Sequence, residues 1–200
     1  DYFSIAPVSL AFLYIAELIT RIVGATLACV QFDIKKVLAY STLSHLALMF
    51  LALSAGAPEA GMMHLFGHAA FKAMLFLAAG SVIYFQHHEQ ELRKLTGVLK
   101  HMPVTRAAFW MGVIGATGFI PYLSASFFSK EMVMHGIGAS VFLPGWLDLS
   151  GKLVYWVVFL AELLGLVYMF RLLGFLEGFS DAERLPGESI TGGGSPSYAG

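Results

Sequence analysis

Charge and cysteine are scarce in this sequence of 200 residues: 12% of it is Asp, Glu, Lys or Arg, and it holds one cysteine. A soluble domain carries about 25% charged residues, and so sparse a charge leaves too little polar surface to keep a domain of this size in water. The single Cys29 excludes an internal disulfide framework and any cysteine-rich zinc or iron–sulfur site. A net charge of -1 offers no basic surface for phosphate, so nucleic acid is not an expected partner. No phosphate loop, dinucleotide fingerprint, haem or flavin signature occurs. The chain opens on Asp1, with neither an initiator Met nor a signal-peptide pattern, and reads as a segment of a longer protein.

What it has in excess is apolar length, 58% of the chain. Eleven of the 25 charges fall in two short stretches, Glu89 to Arg106 and Glu177 to Glu188. A bilayer core about 30 Å thick takes roughly 20 apolar residues per helix. On that measure the chain is an all-α, polytopic transmembrane bundle of about five crossings within residues 1–177: about 7–30, 37–57, 61–85, a broken segment at 107–140, and 153–175. The broken crossing consists of half-helices at about 107–118 and 128–140. Gly118 and Pro121 in GFIPYLSAS unwind the chain between them, which a membrane tolerates only where protein or water surrounds the backbone. Residues 178–200 are polar and Gly-rich and read as a disordered tail. With this count Lys35, Lys36, Arg93, Lys94, Lys100, Arg106, Arg171 and Arg184 lie on one side and Lys152 alone on the other, so the first side is the cytoplasmic or matrix side.

Ionisable residues inside the crossings need a reason, since each costs about 2.5–3.5 kcal/mol at mid-helix on insertion scales. His64, His68 and Lys72 stand at i, i+4 and i+8, on one face of the third crossing. Imidazoles exchange protons near neutral pH, and a desolvated lysine releases its proton more readily than one in water, so the series suits a proton relay. A helical HxxxH metal pair is the alternative, without the Glu of the zinc-protease motif or a third ligand nearby; core histidines with a snorkelling lysine are the bland one. Lys130 and Glu131 follow the unwound chain, as ion-site residues do in transporters; Glu131 as a cap of the half-helix N-terminus is compatible with that. Glu17 and Arg21, four apart, are read as an intrahelical pair, and Glu162 is left without a partner on its own helix. His45 serves either a wet axis or a hydrogen bond to a neighbouring helix.

DIKKVLAYSTLS (33–44), MHLFGHAAFKAMLFLAAGSVI (63–83), HHEQELRKLTGVLKHMPVT (87–105), SFFSKE (126–131) and VYMFRLL (167–173), in this order, resemble the antiporter-like subunits of proton-pumping NADH:quinone oxidoreductase, complex I. The connection motif is similar to that of subunit L, whose mitochondrial counterpart is subunit 5. The resemblance implies the second of two inverted five-helix repeats, in a translocase subunit of the bacterial cell membrane or the mitochondrial inner membrane. It implies buried lysines on a hydrated axis, matching Lys72 and Lys130, with His64 and His68 before the first, and proton movement driven by quinone reduction elsewhere in the complex. NADH, FMN, iron–sulfur clusters and quinone are then expected in other subunits and no cofactor in this chain. Its expected partners are the other membrane subunits, the first repeat and C-terminal helices of its own chain, and lipid. A sodium/proton antiporter or membrane hydrogenase subunit of the same group is the alternative. The sequence departs from the family's usual residues at His45 (Gln), Ala47-Leu48 (Gly-Tyr), Ser126 (Gly) and Glu131 (Asp).

Overall fold

A computed structural model describes residues 7–118, 120, 124–138 and 151–179. They form α1 (Pro7–Val30), α2 (Ile34–Ser54), α3 (Pro58–Phe85), a 3-10 turn (Val98–His101), α4 (Pro103–Thr117), α5 (Ala125–Gly138) and α6 (Gly151–Glu177). Four helices, α1, α2, α3 and α6, are long and apolar enough to cross a membrane. At 15 and 14 residues, α4 and α5 are each about 21–23 Å long and too short to cross alone. They occupy the stretch where the broken crossing is expected.

Helix ends run past the apolar stretches because polar residues start and stop them. Asp33 caps α2, its carboxylate accepting the Lys35 and Lys36 amides at 2.9 and 3.1 Å, so α2 begins at Ile34 rather than 37. Pro58 and Pro103 sit in the first turns of α3 and α4, where a missing N–H costs nothing, and start these helices before 61 and 107. Thr117 ends α4 where Gly118 takes φ +66°; a Cβ there would meet Phe127 N at 3.2 Å, so glycine lets α5 fold back against the end of α4. The second half-helix begins at Ala125, not 128. Pro121, residues 139 and 140, and the tail beyond Phe179 lie outside the described residues.

The connection from Gln86 to Met102 is polar on its surface but packed beneath. Leu92, Leu95, Val98 and Leu99 are buried in one cluster with Ile34, Val37, Leu172 and Leu176. The Leu92 amide donates to Phe32 O at 2.7 Å and the Ile34 amide to Gln90 O at 3.0 Å. Arg171 donates to the carbonyls of Cys29 and Gln31, and Arg106 to Glu177 at 2.7 Å. These ties gather the α1–α2 turn, the connection, the start of α4 and the end of α6 at one end of the bundle.

The buried apolar residues fall into two clusters. One, at the end just described, holds Ala25 and Ala28 of α1, Phe71 to Ile83 of α3, Phe109 to Ala116 of α4 and Tyr168 to Leu176 of α6. The other holds Tyr14, Leu48, Leu51, Ala60, Val133, Ile137, Val154 and Val158. Along α1, α2 and α3 buried polar residues occupy the interval between the two: Arg21, Ser41 to His45, His64 to Lys72; on α6 the half-buried Glu162 stands at that level. The helix break lies at the same level.

Candidate functional site

The polar layer takes side chains from α1, α2, α3, α5 and α6 and backbone carbonyls from the end of α4. On α3 the i, i+4, i+8 spacing does aim His64, His68 and Lys72 inward, and all three are buried. His45 of α2 meets them: its ring lies 5.3 Å from that of His64 and 5.4 Å from that of His68. His45 Nδ1 and His64 Nε2 are 3.0 Å apart, and His64 Nδ1 lies 2.8 Å from Ser129 Oγ on α5. Ser129 in turn reaches Ser126 O at 3.2 Å. Two proton arrangements satisfy this chain. In one, His45 donates to His64, His64 to Ser129 and Ser129 to the Ser126 carbonyl; in the other, Ser129 donates to His64 and His64 to His45. A line of groups with two such orders can pass a proton by switching from one to the other. His68 Nε2 is buried without a protein partner.

Lys72 lies one turn beyond His68 and donates to Leu38 O at 3.1 Å and to Ser41 Oγ. Tyr168 of α6 is buried nearby and lines the cavity described below. Lys130 sits next to Ser129 and places its ammonium at the end of α4, donating to Ala116 O and Thr117 O at 3.1 Å each. The last carbonyls of a helix lack amide partners and carry its negative dipole end, so the break itself creates a cation site. The third ammonium proton goes to Glu162 Oε2 at 2.6 Å. Glu162 Oε1 pairs with Arg21, whose other nitrogen donates to Ser44 O at 2.8 Å and to Ser44 Oγ at 3.2 Å.

Two expectations fail. Arg21 does not pair with Glu17 along α1; it turns into the bundle, is 2% exposed, and meets Glu162 on α6, while Glu17 stays half-buried outside the network. A buried guanidinium takes the partner that shares its low-dielectric surroundings over one near the helix surface. Glu131 is exposed, as its position one residue past Lys130 turns it about 100° away. It does not cap α5 either, because the helix begins at Ala125, nearly two turns earlier. His45 makes its bond to the neighbouring helix and also lines the cavity. Among the described residues no group of three or more His, Cys, Asp and Glu side chains is arranged to hold a metal ion. Sequence reasoning missed Ser41, Ser44, Ser129 and Tyr168 altogether. Their one signal was polarity inside apolar runs, which serines in membrane helices give too often to be informative.

Arg21, His45, Thr117, Lys130, Glu162 and Tyr168 face one small cavity. It has room for about one water. It joins the histidine chain to the charged trio.

The family model described as NADH:quinone oxidoreductase/Mrp antiporter, TM, matches residues 2–147. Subunit L of the NADH-quinone oxidoreductase of Pseudomonas aeruginosa is 44% identical over 132 residues, 66% of this chain and 21% of that protein. Chain 5 of the NADH-ubiquinone oxidoreductase of Acanthamoeba castellanii is 41% identical over 155 residues, covering 78% and 22%. Subunit L of Escherichia coli is 43% identical over 138 residues, covering 69% and 22%. The chain thus spans about a fifth of the length of the curated relatives it matches.

Proposed function

The chain belongs to the NADH:quinone oxidoreductase/Mrp antiporter family of membrane proteins, and on that premise we propose that it is the second five-helix repeat of a proton-translocating subunit in an NADH:quinone oxidoreductase. Protons pass along its polar layer, in which Lys72 and Lys130 are stations and His68, His45, His64 and Ser129 lie between them. The observation that carries this reading is the continuous bond from His45 through His64 to Ser129, which links α2, α3 and α5 and ends beside Lys130. The network contains one buried carboxylate and has imidazole as its main exchanging group, a composition suited to protons. The names of the relatives support the oxidoreductase over an antiporter working alone.

In the mechanism, each lysine holds its proton against donors already fixed by the fold: Leu38 O and Ser41 for Lys72, Ala116 O, Thr117 O and Glu162 for Lys130. A proton leaving Lys72 reaches His68 one turn away, then the paired rings of His45 and His64. The two tautomeric orders of that pair let one proton enter at His45 as another leaves at Ser129. Water in the cavity between His45 and Lys130 completes the path. Energy for the cycle comes from quinone reduction in other subunits; electron cofactors are assigned to those subunits and none to this chain. The basic end, with Lys35, Lys36, Arg93, Lys94 and Lys100, faces the cytoplasm or matrix.

The test uses the full-length subunit in its assembled complex, in membrane vesicles with a pH-sensitive dye. Lys72→Ala and Lys130→Ala are each expected to cut NADH-driven proton flux strongly at normal complex abundance. Normal flux in both variants overturns the relay, and flux that requires sodium moves the chain to the antiporter reading.

A further inference from the structure

Resting on that relay, we propose that Glu162 is the positioning residue of Lys130, with Arg21 as its permanent counter-cation. The carboxylate divides its oxygens between two helices: Oε1 faces Arg21 of α1 and Oε2 lies 2.6 Å from Lys130 Nζ of α5. Arg21 is fixed in turn by two bonds to Ser44 on α2. A guanidinium keeps its charge in a protein, so Arg21 is the fixed counter-cation of the Glu162 carboxylate. Lys130 is then the member of the trio whose proton moves. Its ammonium is held between the carboxylate and the α4 carbonyls, at the rim of the cavity that His45 also borders. Glu162 touches no group on the histidine chain directly and acts through Lys130. With Glu162 neutral, two cations would share the site without a counter-charge, and Lys130 would lose the group that aims it at the cavity.

In the assembled complex with the full-length subunit, Glu162→Gln is expected to cut proton flux about tenfold, and Glu162→Asp to restore at least half of it, since the carboxylate and not its length matters most. Lys130→Ala combined with Glu162→Gln is expected to be no slower than Lys130→Ala alone, because a residue acting through another adds nothing once that other is gone. The charge-balanced double variant Arg21→Met with Glu162→Gln leaves no orphan guanidinium and is expected to assemble while keeping the low flux. Normal flux in Glu162→Gln, or an additive loss with Lys130→Ala, overturns the proposal. So does a failure of the charge-balanced variant to assemble, which would make the carboxylate structural. If Lys130→Ala itself keeps full flux, the relay fails; if it loses flux and Glu162→Gln does not, only the role of Glu162 fails.

Discussion

Ser129→Ala removes one oxygen from the middle of the polar layer, and its effect follows from what that oxygen touches. Ser129 is fully buried, and its Oγ is the partner of His64 Nδ1 at 2.8 Å. His64 is 0% exposed, so without Oγ its ring nitrogen faces no partner and no bulk solvent. The gap left by one hydroxyl is smaller than the room a water needs, so water does not repair the bond. Leaving a buried polar group unmet costs about 1–3 kcal/mol. If the whole of that cost falls on the barrier for passing a proton from His64, flux drops about 5- to 150-fold, at 1.36 kcal/mol per factor of ten. The assay is NADH-driven acidification of vesicles, normalised to complex abundance. Ser54→Ala is the matched control: that hydroxyl is also buried and also bonds a carbonyl of its own helix, Leu51 O at 3.0 Å, but it lies in the apolar cluster away from the layer. It is expected to leave flux unchanged. Flux within twofold of normal in Ser129→Ala would show that protons do not pass between His64 and α5.

Other consequences are independent of the relay. Glu177 is 1% exposed and accepts from Arg106 Nε and Trp110 Nε1, both at 2.7 Å; Glu177→Ala should cost about 1–3 kcal/mol, read as a lower melting temperature in detergent. His87 ends α3 at φ +51°, followed by a 2.8 Å bond from the His88 amide to Ile83 O, so His87→Gly should stabilise by about 1 kcal/mol in the same measurement. The amides of Glu91 and Gln90, and then Lys94, hold the Glu89 carboxyl below its ordinary range. Its contribution is therefore complete above about pH 4.3, the ordinary glutamate value, and lost as pH falls through the lower folded value, so proteolysis of the connection should rise only in acid below that point. Cysteine placed at the exposed His101, with Cys29 replaced by serine, should react with impermeant reagent from the cytoplasmic or matrix side; labelling from the opposite side alone would reverse the orientation.

Periodicity carries a helix face and little else, and the legible parts of this chain follow that division. His64, His68 and Lys72 were readable because one helix holds all three, and the end of α4 at Gly118 because glycine acts locally. Glu162 and Arg21 stand 141 residues apart, and no pattern along the chain joins them; the local spacing of Glu17 and Arg21 pointed to the wrong partner. Ser129 was hidden for another reason. It gains its role from the register between α3 and α5, which the fold-back at Gly118 decides. Helix starts were placed late wherever a capping Asp33 or a first-turn proline preceded the apolar run.

The division of the core into two dry clusters has an electrical meaning. A membrane potential falls mainly across low-dielectric material and hardly at all across a polarisable layer, so in a bilayer the voltage on this chain is split between the two clusters, in proportion to their thickness. Carrying one elementary charge across a whole membrane costs about 2.3 kcal/mol per 100 mV. On the relay proposed above, a proton held at Lys130 would have met only part of that cost, the cluster of Val133 and Val158 lying to one side of it. Each cluster is one capacitor of two in series. Admitting water or a charged side chain into one cluster would therefore shift voltage onto the other.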